Sequence, residues 1–314
     1  MNWVRTTAWT MGAWCAFLPG MGLAEAKQPP ALDKPATRVS AARLLKIDRP
    51  EKVGSKSEIS IKSLDRETTQ TKYEGTPLAE EKTYGAGSIR AIREVLAVGA
   101  NGRATKLKLA IKSLKFTADP NAEPKELFPT GKEVTAELKA GETTFTVDGK
   151  PAAANLDQAL QLFGLVNDGP DSDVMFNTNV PHAVGDEWNA DLREATKHGS
   201  FGTFTFDLRA STGKVRLERI EKVNGIECYI VTCKMTLIPS GMVGQAGADV
   251  AGSSLKFTTT IPVPVDPAAP ELGCKTEDDT AFKIRFKTAA GPKIDSTAKS
   301  VREEEIRECP PAGK

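Results

Sequence analysis

The sequence predicts a mainly β protein: antiparallel curved sheets, half-barrel or barrel-like, made from two similar halves, with a short helix near residues 155–164. Three observations carry that prediction. First, apolar and polar residues alternate with a period of two in stretches such as RATKLKLAIKSL (103–114) and ECYIVTCKMTL (227–237), and a sheet with one wet face is an antiparallel sheet. Second, Asn101-Gly102 and Asn224-Gly225 each lie between strand-like runs, and Asn-Gly tolerates the positive φ angles of a tight hairpin. Third, P-x-x-V-G recurs: RPEKVGSKSEISIK (49–62) matches VPHAVGDEWNADLR (180–193) as Pro50 with Pro181, Val53 with Val184 and Gly54 with Gly185. The same order of lead-in, strands, Asn-Gly and strand in both halves suggests an internal duplication.

From the N-terminus, MNWVRTTAWTMGAWCAFLPGMGLAEA has a basic residue, Arg5, an apolar stretch from Ala8 to Leu18 and Ala24-Glu25-Ala26. That is the pattern of a cleaved signal peptide, residues 1–26. Trp14 precedes Cys15 where a lipoprotein signal has a small residue, so no lipid anchor is expected. Residues 27–42, rich in proline, alanine and charge, read as a flexible leader. The first β-rich half then spans 43–170 and the second 171–309, with a tail at 310–314. No later apolar run reaches the roughly 20 residues a membrane-spanning helix needs, so no stable membrane span is expected after signal cleavage. The expected location is secreted or periplasmic.

In the first half, Leu107, Leu109 and Ile111 alternate with Lys106, Lys108 and Lys112. NLDQALQLFG (155–164) repeats Leu156, Ala159, Leu160 and Phe163 at helical spacing, with Asn155 placed to cap the start and Gly164 to end it. VNDGPDSD (166–173) reads as an acidic loop. In the second half, Pro181 and Gly185 set the backbone of the opening stretch while Val184 is expected to enter the core. Tyr229, Val231, Cys233, Met235 and Leu237 point inward along one strand. Residues 239–254, mostly small, read as a mobile loop, and IPVPVDPAAPELG (261–273) as an extended connection.

Four cysteines follow the signal: Cys228, Cys233, Cys274 and Cys309. Five residues along a strand separate Cys228 from Cys233 and put them on opposite faces, so they are not expected to pair. Cys274 and Cys309 flank a hairpin turning at AAGPK (289–293) and are the favoured disulfide; the rival pairs Cys228 and Cys233 with the two later cysteines.

Chemistry is sparse. His182 and His198 are the sole histidines, and no nucleophile elbow, H-E-x-x-H or C-x-x-C motif accompanies them. Asp168, Asp171 and Asp173 could be offered to calcium, but at the wrong spacing for an EF-hand loop; no metal or cofactor is expected. With 42 basic and 41 acidic residues interspersed, no footprint for nucleic acid appears. Trp188 and His182 are weak ligand-binding candidates, and Trp188 reads first as a packing residue whose indole N–H finds a partner.

VPHAVGDEW, with LFPTGK, FTVDGKPAAA and VNGIECYIV, resembles a family of exported bacterial proteins of unknown function marked by V-G-D-x-W at a strand start. The resemblance covers residues 45–240 and implies a periplasmic or secreted β-rich protein with no catalytic residues to carry over; Ser57 stands where the first copy would have the tryptophan. Curled sheets with a helix across one opening also resemble the envelope carriers of lipids and lipoproteins, an analogy of fold alone. The expected function is non-catalytic: an envelope or periplasmic protein holding an apolar, lipid-like ligand or an envelope protein partner in a β-sheet concavity. A structural or protein-interaction module of the envelope and an unrecognised hydrolase using His182 or His198 are the alternatives.

Overall fold

The computed structural model describes residues 42–127, 131–139, 141–166, 169, 171–197, 204–244, 247–269, 272–287 and 293–309. The stretches read from the sequence as signal peptide, leader (up to residue 41) and tail lie outside them.

Seven strands come first: β1 (Lys56–Tyr73), β2 (Thr76–Val98), β3 (Ala104–Thr117), β4 (Lys125–Glu126), β5 (Glu133–Lys139), β6 (Glu142–Val147) and β7 (Lys150–Pro151). Three short helices, α1 (Ala154–Gln161), α2 (Ser172–Met175) and α3 (Leu192–Ala195), lie around β8 (Glu187–Asn189). The remainder is β9 (Phe204–Phe206), β10 (Thr212–Val223), β11 (Ile226–Leu237), β12 (Pro239–Met242), β13 (Ala248–Asp249), β14 (Ser254–Pro264), β15 (Lys275–Lys287) and β16 (Lys293–Cys309).

All but two strands join one curved antiparallel sheet in the order β7-β6-β5-β3-β2-β1-β16-β15-β14-β11-β10-β8, with β4 on β3 and β13 on β15; β9 and β12 form a separate ribbon. The chain therefore starts in the middle of the sheet and meanders to one end. It passes through the helices to the other end and meanders back until β16 pairs with β1, from Glu58↔Cys309 to Tyr73↔Ile294. Mainly β, antiparallel and curved holds as read from the sequence. The barrel does not close among the described residues, because β7 and β8 remain at opposite ends.

Unbroken registers from β11 through β14, β15 and β16 to β1 place Cys233, Thr259, Thr276, Glu304 and Ser63 in one transverse row. Every residue of that row shares a face, so the three main apolar clusters line one inner face. Under α1 lie Ile59, Ile61, Ile89, Leu107, Leu109, Ile111, Val134 and Phe145. The second-half cluster joins Val215, Leu217, Tyr229, Val231, Cys233 and Met235, and a third gathers Phe204, Leu237, Leu255 and Phe282. The predicted lysine row is solvated and paired instead across strands, Lys106 with Glu137, Lys108 with Glu133 and Lys112 with Glu58.

Several local readings need correction. Helix α1 starts one residue early with Ala153 at its N-cap and no side-chain cap; Asn155 bonds instead to the adjacent Leu156 N–H. Gly164, at φ 49°, does stand in the turn after the helix. Asn224-Gly225 adopts the two positive φ angles of a tight hairpin (51° and 82°), whereas at the first pair only Gly102 does, because Gly99–Arg103 close a longer loop there. Glu74-Gly75 and Asp148-Gly149 make tight turns of the Asn224-Gly225 kind. The small-residue segment contains β12 and β13, and Ile261–Pro264 completes β14. Val184 is 36% exposed and Val53 66%, so neither enters the core.

The two P-x-x-V-G lead-ins share their backbone bonds. Gly54 N–H donates to Val95 O, Ser55 N–H to Lys52 O and Val95 N–H to Ser55 O; Gly185, Asp186 and Leu217 donate likewise to Leu217, Ala183 and Asp186. Just beyond Val95 and beyond Leu217 each receiving strand carries a bulge, between Val95 and Ala97 and between Leu217 and Arg219. Thus β8-β10-β11 and β1-β2-β3 follow one another in the same order along one sheet.

Candidate functional site

Residues 43–51 form a strap that runs from His182 and α2 to β2, β3 and the 264–269 turn. Arg43 and His182 exchange backbone bonds, each 2.8 Å. Leu45 and Ile47 are buried in the second-half cluster, while Lys46 pairs with Asp173, whose carboxylate also accepts the Ile47 N–H at 2.7 Å. Asp48 accepts from the Arg103 guanidinium at 2.9 Å and from the Ser172 N–H. Arg49 donates to carbonyls of the 264–269 turn, and Glu51 pairs with Arg93 and accepts the Ala104 N–H. Alternation of Leu45, Lys46 and Ile47 was the available sequence signal for this strap.

The candidate ligand residues sit beneath it. Trp188 and His182 stack with ring centroids 3.5 Å apart and planes 9° from parallel. The indole N–H donates to Phe176 O at 2.6 Å, and His182 Nε2 lies 3.3 Å from Asn177 O. His182 is buried, and Trp188 packs against the cluster of Val215, Leu217 and Phe176. His198 and Asp168 fall outside the described residues. Asp171 caps α2, Asp173 is held by Lys46, and Asp191 caps α3, so these acids serve local structure. Among the described residues no group of three metal-ligating side chains gathers.

Cys228 and Cys233 are buried free thiols on opposite faces of β11, and burial pushes the Cys233 thiol up to about 12. Cys274 is not a free thiol. The hairpin register sets Cys274 opposite Ile306, whose N–H donates to its carbonyl, and leaves Cys309 three residues further along β16. The two are near neighbours at the strand ends and not directly opposite.

Between the clusters the inner face changes character along β1, β16 and β15. At the tip, Tyr73, Ile294 and Phe286 stand side by side in register, with Ile284 one row in and Phe282 beyond it, stacked on Phe204 at 4.6 Å. Tyr73 is 46% exposed and Ile284, Phe286 and Ile294 are only half-buried. The opposite face of these strands is charged, as in the pair Arg285–Asp295 at 2.6 Å. Deeper rows hold Glu67 and Thr280, then Asp65 and Asp278, then Ser63 and Thr276. Thr276 donates to Thr259 at 2.7 Å. Burial pushes the Glu67 carboxyl up, Asp65 and Glu81 add to the rise, and the Thr69 hydroxyl opposes it. Beside these rows, Gly85 and Gly87 make room for the end of α1: a Cβ on Gly87 would meet Lys115 O at 2.5 Å and the Phe163 ring at 3.3 Å.

No family model and no curated protein matches the chain, which leaves the V-G-D-x-W resemblance without a matching family. Among solved structures, similarity is to lipovitellin, in a structure concerned with its lipid–protein interactions, at 10% identity over 84% of this chain and 26% of that one, with a TM-score of 0.33. The chain thus spans about a quarter of the lipovitellin chain. DynF of the dynemicin biosynthesis pathway of Micromonospora chersina is 10% identical over 89% of this chain and 92% of that one (TM-score 0.17). A LolA-superfamily protein from Nitrosomonas europaea is 12% identical over 83% and 88% (TM-score 0.10). Scores this low carry no argument about function.

Proposed function

We propose that the protein is exported and binds an apolar, lipid-like ligand on the inner face of its sheet. The carrying observation is the row Tyr73, Ile294 and Phe286, continued by Ile284. These apolar side chains stay partly open to water on the inner face, while the face behind them holds ion pairs. A solvated sheet tip needs no apolar row, and an uncovered one of this kind is a surface for an apolar ligand. The end strands β7 and β8 themselves have only two and three residues, one of them Pro151, and offer a partner strand little to pair with. The N-terminal signal pattern supports export to the periplasm or beyond. A bridge between Cys274 and Cys309 belongs to the same reading, because Cys228 and Cys233 are free and an oxidising compartment favours it.

Native mass spectrometry and solvent extraction of the purified mature chain test the ligand. We expect a co-purifying lipid-like molecule that is lost in an Ile284→Asp, Phe286→Asp double variant that retains the parent circular dichroism. A parent chain that carries no such molecule, and gains none on lipid addition, overturns the reading.

A further inference from the structure

We infer that residues 43–47 of the strap are a displaceable flap: they fill part of the apolar inner face in place of ligand, and a lipid-like ligand binds fully by lifting them. This rests on the apolar-ligand reading and adds how access to that surface is controlled. Leu45 and Ile47, 4% and 8% exposed, sit among Val215, Leu217, Tyr229 and Val231 on the inner face. That seat is continuous with the open tip. Ile284 of the tip row packs against the cluster of Phe282 and Leu255, while Leu192 and Phe257 pack against both that cluster and the one that holds the strap. An acyl chain that follows the apolar surface inward from Phe286 therefore meets the place that Leu45 and Ile47 fill.

The strap's anchors are unequal along its length. Residues 48–51 form a firm base. Asp48 takes Arg103 and the Ser172 N–H, and Glu51 takes Arg93 and the Ala104 N–H. Arg49 donates to Pro267 O at 3.1 Å and Pro264 O at 3.2 Å, and the Glu51 N–H donates to Gly102 O. Over residues 43–47 the described polar anchors are fewer: one isolated backbone bridge, Arg43 with His182, and Asp173, which takes Lys46 and the Ile47 N–H. The Lys46 side chain is 60% exposed, and an ion pair at a wet rim gives way to water at little cost. A segment held by two apolar side chains and a few exposed bonds belongs to the readily opened part of a fold. A ligand restores to the cluster the apolar contact that Leu45 and Ile47 give up, and the base at 48–51 keeps the lifted flap at hand to close again. Because flap and ligand claim one surface, ligand affinity scales with the fraction of molecules whose flap is open.

The uncharged apolar fluorophore N-phenyl-1-naphthylamine tests the flap in the mature chain. Lys46→Glu sets a carboxylate against Asp173, with Asp171 and Asp48 close by, and so loosens the flap at its exposed rim. In a variant that keeps the parent circular dichroism, the probe is expected to bind about five- to tenfold more tightly, as an equilibrium shifted toward the open flap requires. A Leu45→Ala, Ile47→Ala double variant keeps every ion pair and is expected to tighten binding likewise, so the step stays readable if Lys46→Glu fails to fold. Hydrogen exchange separates a flap from a fixed tether. In the parent, saturation with the probe is expected to speed exchange of the Arg43 and Ile47 amides, which the closed flap bonds to His182 O and Asp173. Flap amides that exchange no faster on saturation, or parent-like affinity in both variants, overturn the flap and leave the apolar-ligand reading standing. If the probe binds none of the three chains, both fall.

Discussion

Replacing Trp188 by alanine distinguishes a packing residue from a ligand platform. The side chain is half-buried, stacked on His182 at 3.5 Å and hydrogen-bonded to Phe176 O at 2.6 Å. The stack contributes ~0.5–1.5 kcal/mol, the hydrogen bond about as much, and the apolar area removed from water ~1.5–3 kcal/mol. Trp188→Ala is therefore expected to cost about 3–5 kcal/mol, at the level of other aromatic truncations. For a chain of this size that is a fall in Tm of roughly 6–20 °C. From Lys27 onward Trp188 is the sole tryptophan, so urea unfolding must be followed by far-ultraviolet circular dichroism in parent and variant alike. A cycle with His182→Ala isolates the stack, with an expected coupling of ~0.5–1.5 kcal/mol. A loss under ~1 kcal/mol for Trp188→Ala, or strictly additive single variants, refutes the packing argument and returns both rings to the list of ligand contacts.

Four further outcomes follow from the structure. Asp48→Ala removes two contacts to Arg103 and the acceptor of the Ser172 N–H; urea unfolding should register a loss of about 2–3 kcal/mol, and Asp48→Asn should recover part of it. Thiol titration at pH 8 should find Cys233 unreactive in the native chain, because its pKa stands at about 12, with two free thiols appearing on denaturation and four if the proposed bridge is also reduced. Glu67→Gln should be more stable than the parent at pH 7. The Glu67 carboxyl is held above its ordinary 4.5 in the fold, so the stability tied to its proton is full below that value and lost as pH rises through the folded pKa; the variant's advantage should fade on acidification. Gly54→Ala and Gly185→Ala meet no atom within 4 Å but sit at φ 83° and 96°. Each should lose a similar ~1–2 kcal/mol from backbone strain alone, and chemical denaturation that finds one silent breaks their equivalence.

What the sequence made legible is the set of strands with one dry face. Leu107, Leu109 and Ile111, or Tyr229 through Leu237, alternate because one side meets a core and the other meets water. The long ends of β1 and β2 escaped because DRETTQTKY carries polar residues on both sides of the strand, leaving no period to detect. Helices α2 and α3 are four residues each, too short for a helical stripe, and only their Asp171 and Asp191 caps could have signalled them. The inner-face site was illegible for a different reason. Its residues come from β1, β15 and β16, which are distant in sequence and meet through pairing between the first and last long strands. Nothing local in a sequence states that pairing.

The stretch around VPHAVGDEW is best understood beside the matching P-x-x-V-G lead-in at residues 49–62, position by position. Val95 and Leu217 hold equivalent lead-ins, and the same register pairs Ser57 with Arg93 and Trp188 with Val215. Glu51 and His182 both stand three residues before the turn glycine. At the first lead-in Arg93 reaches Glu51 as an ion pair, both side chains mostly buried; at the second, Trp188 reaches His182 as a ring stack. The small Ser57 leaves space for the arginine, and the small Val215 leaves space for the indole. A shared backbone frame with a cross-linked site filled by two different chemistries is what divergence after duplication would produce, since each solution requires all three positions to change together. On this view the histidine and tryptophan of the second lead-in are the counterpart of a salt bridge, and their conspicuous chemistry closes the strap onto the sheet.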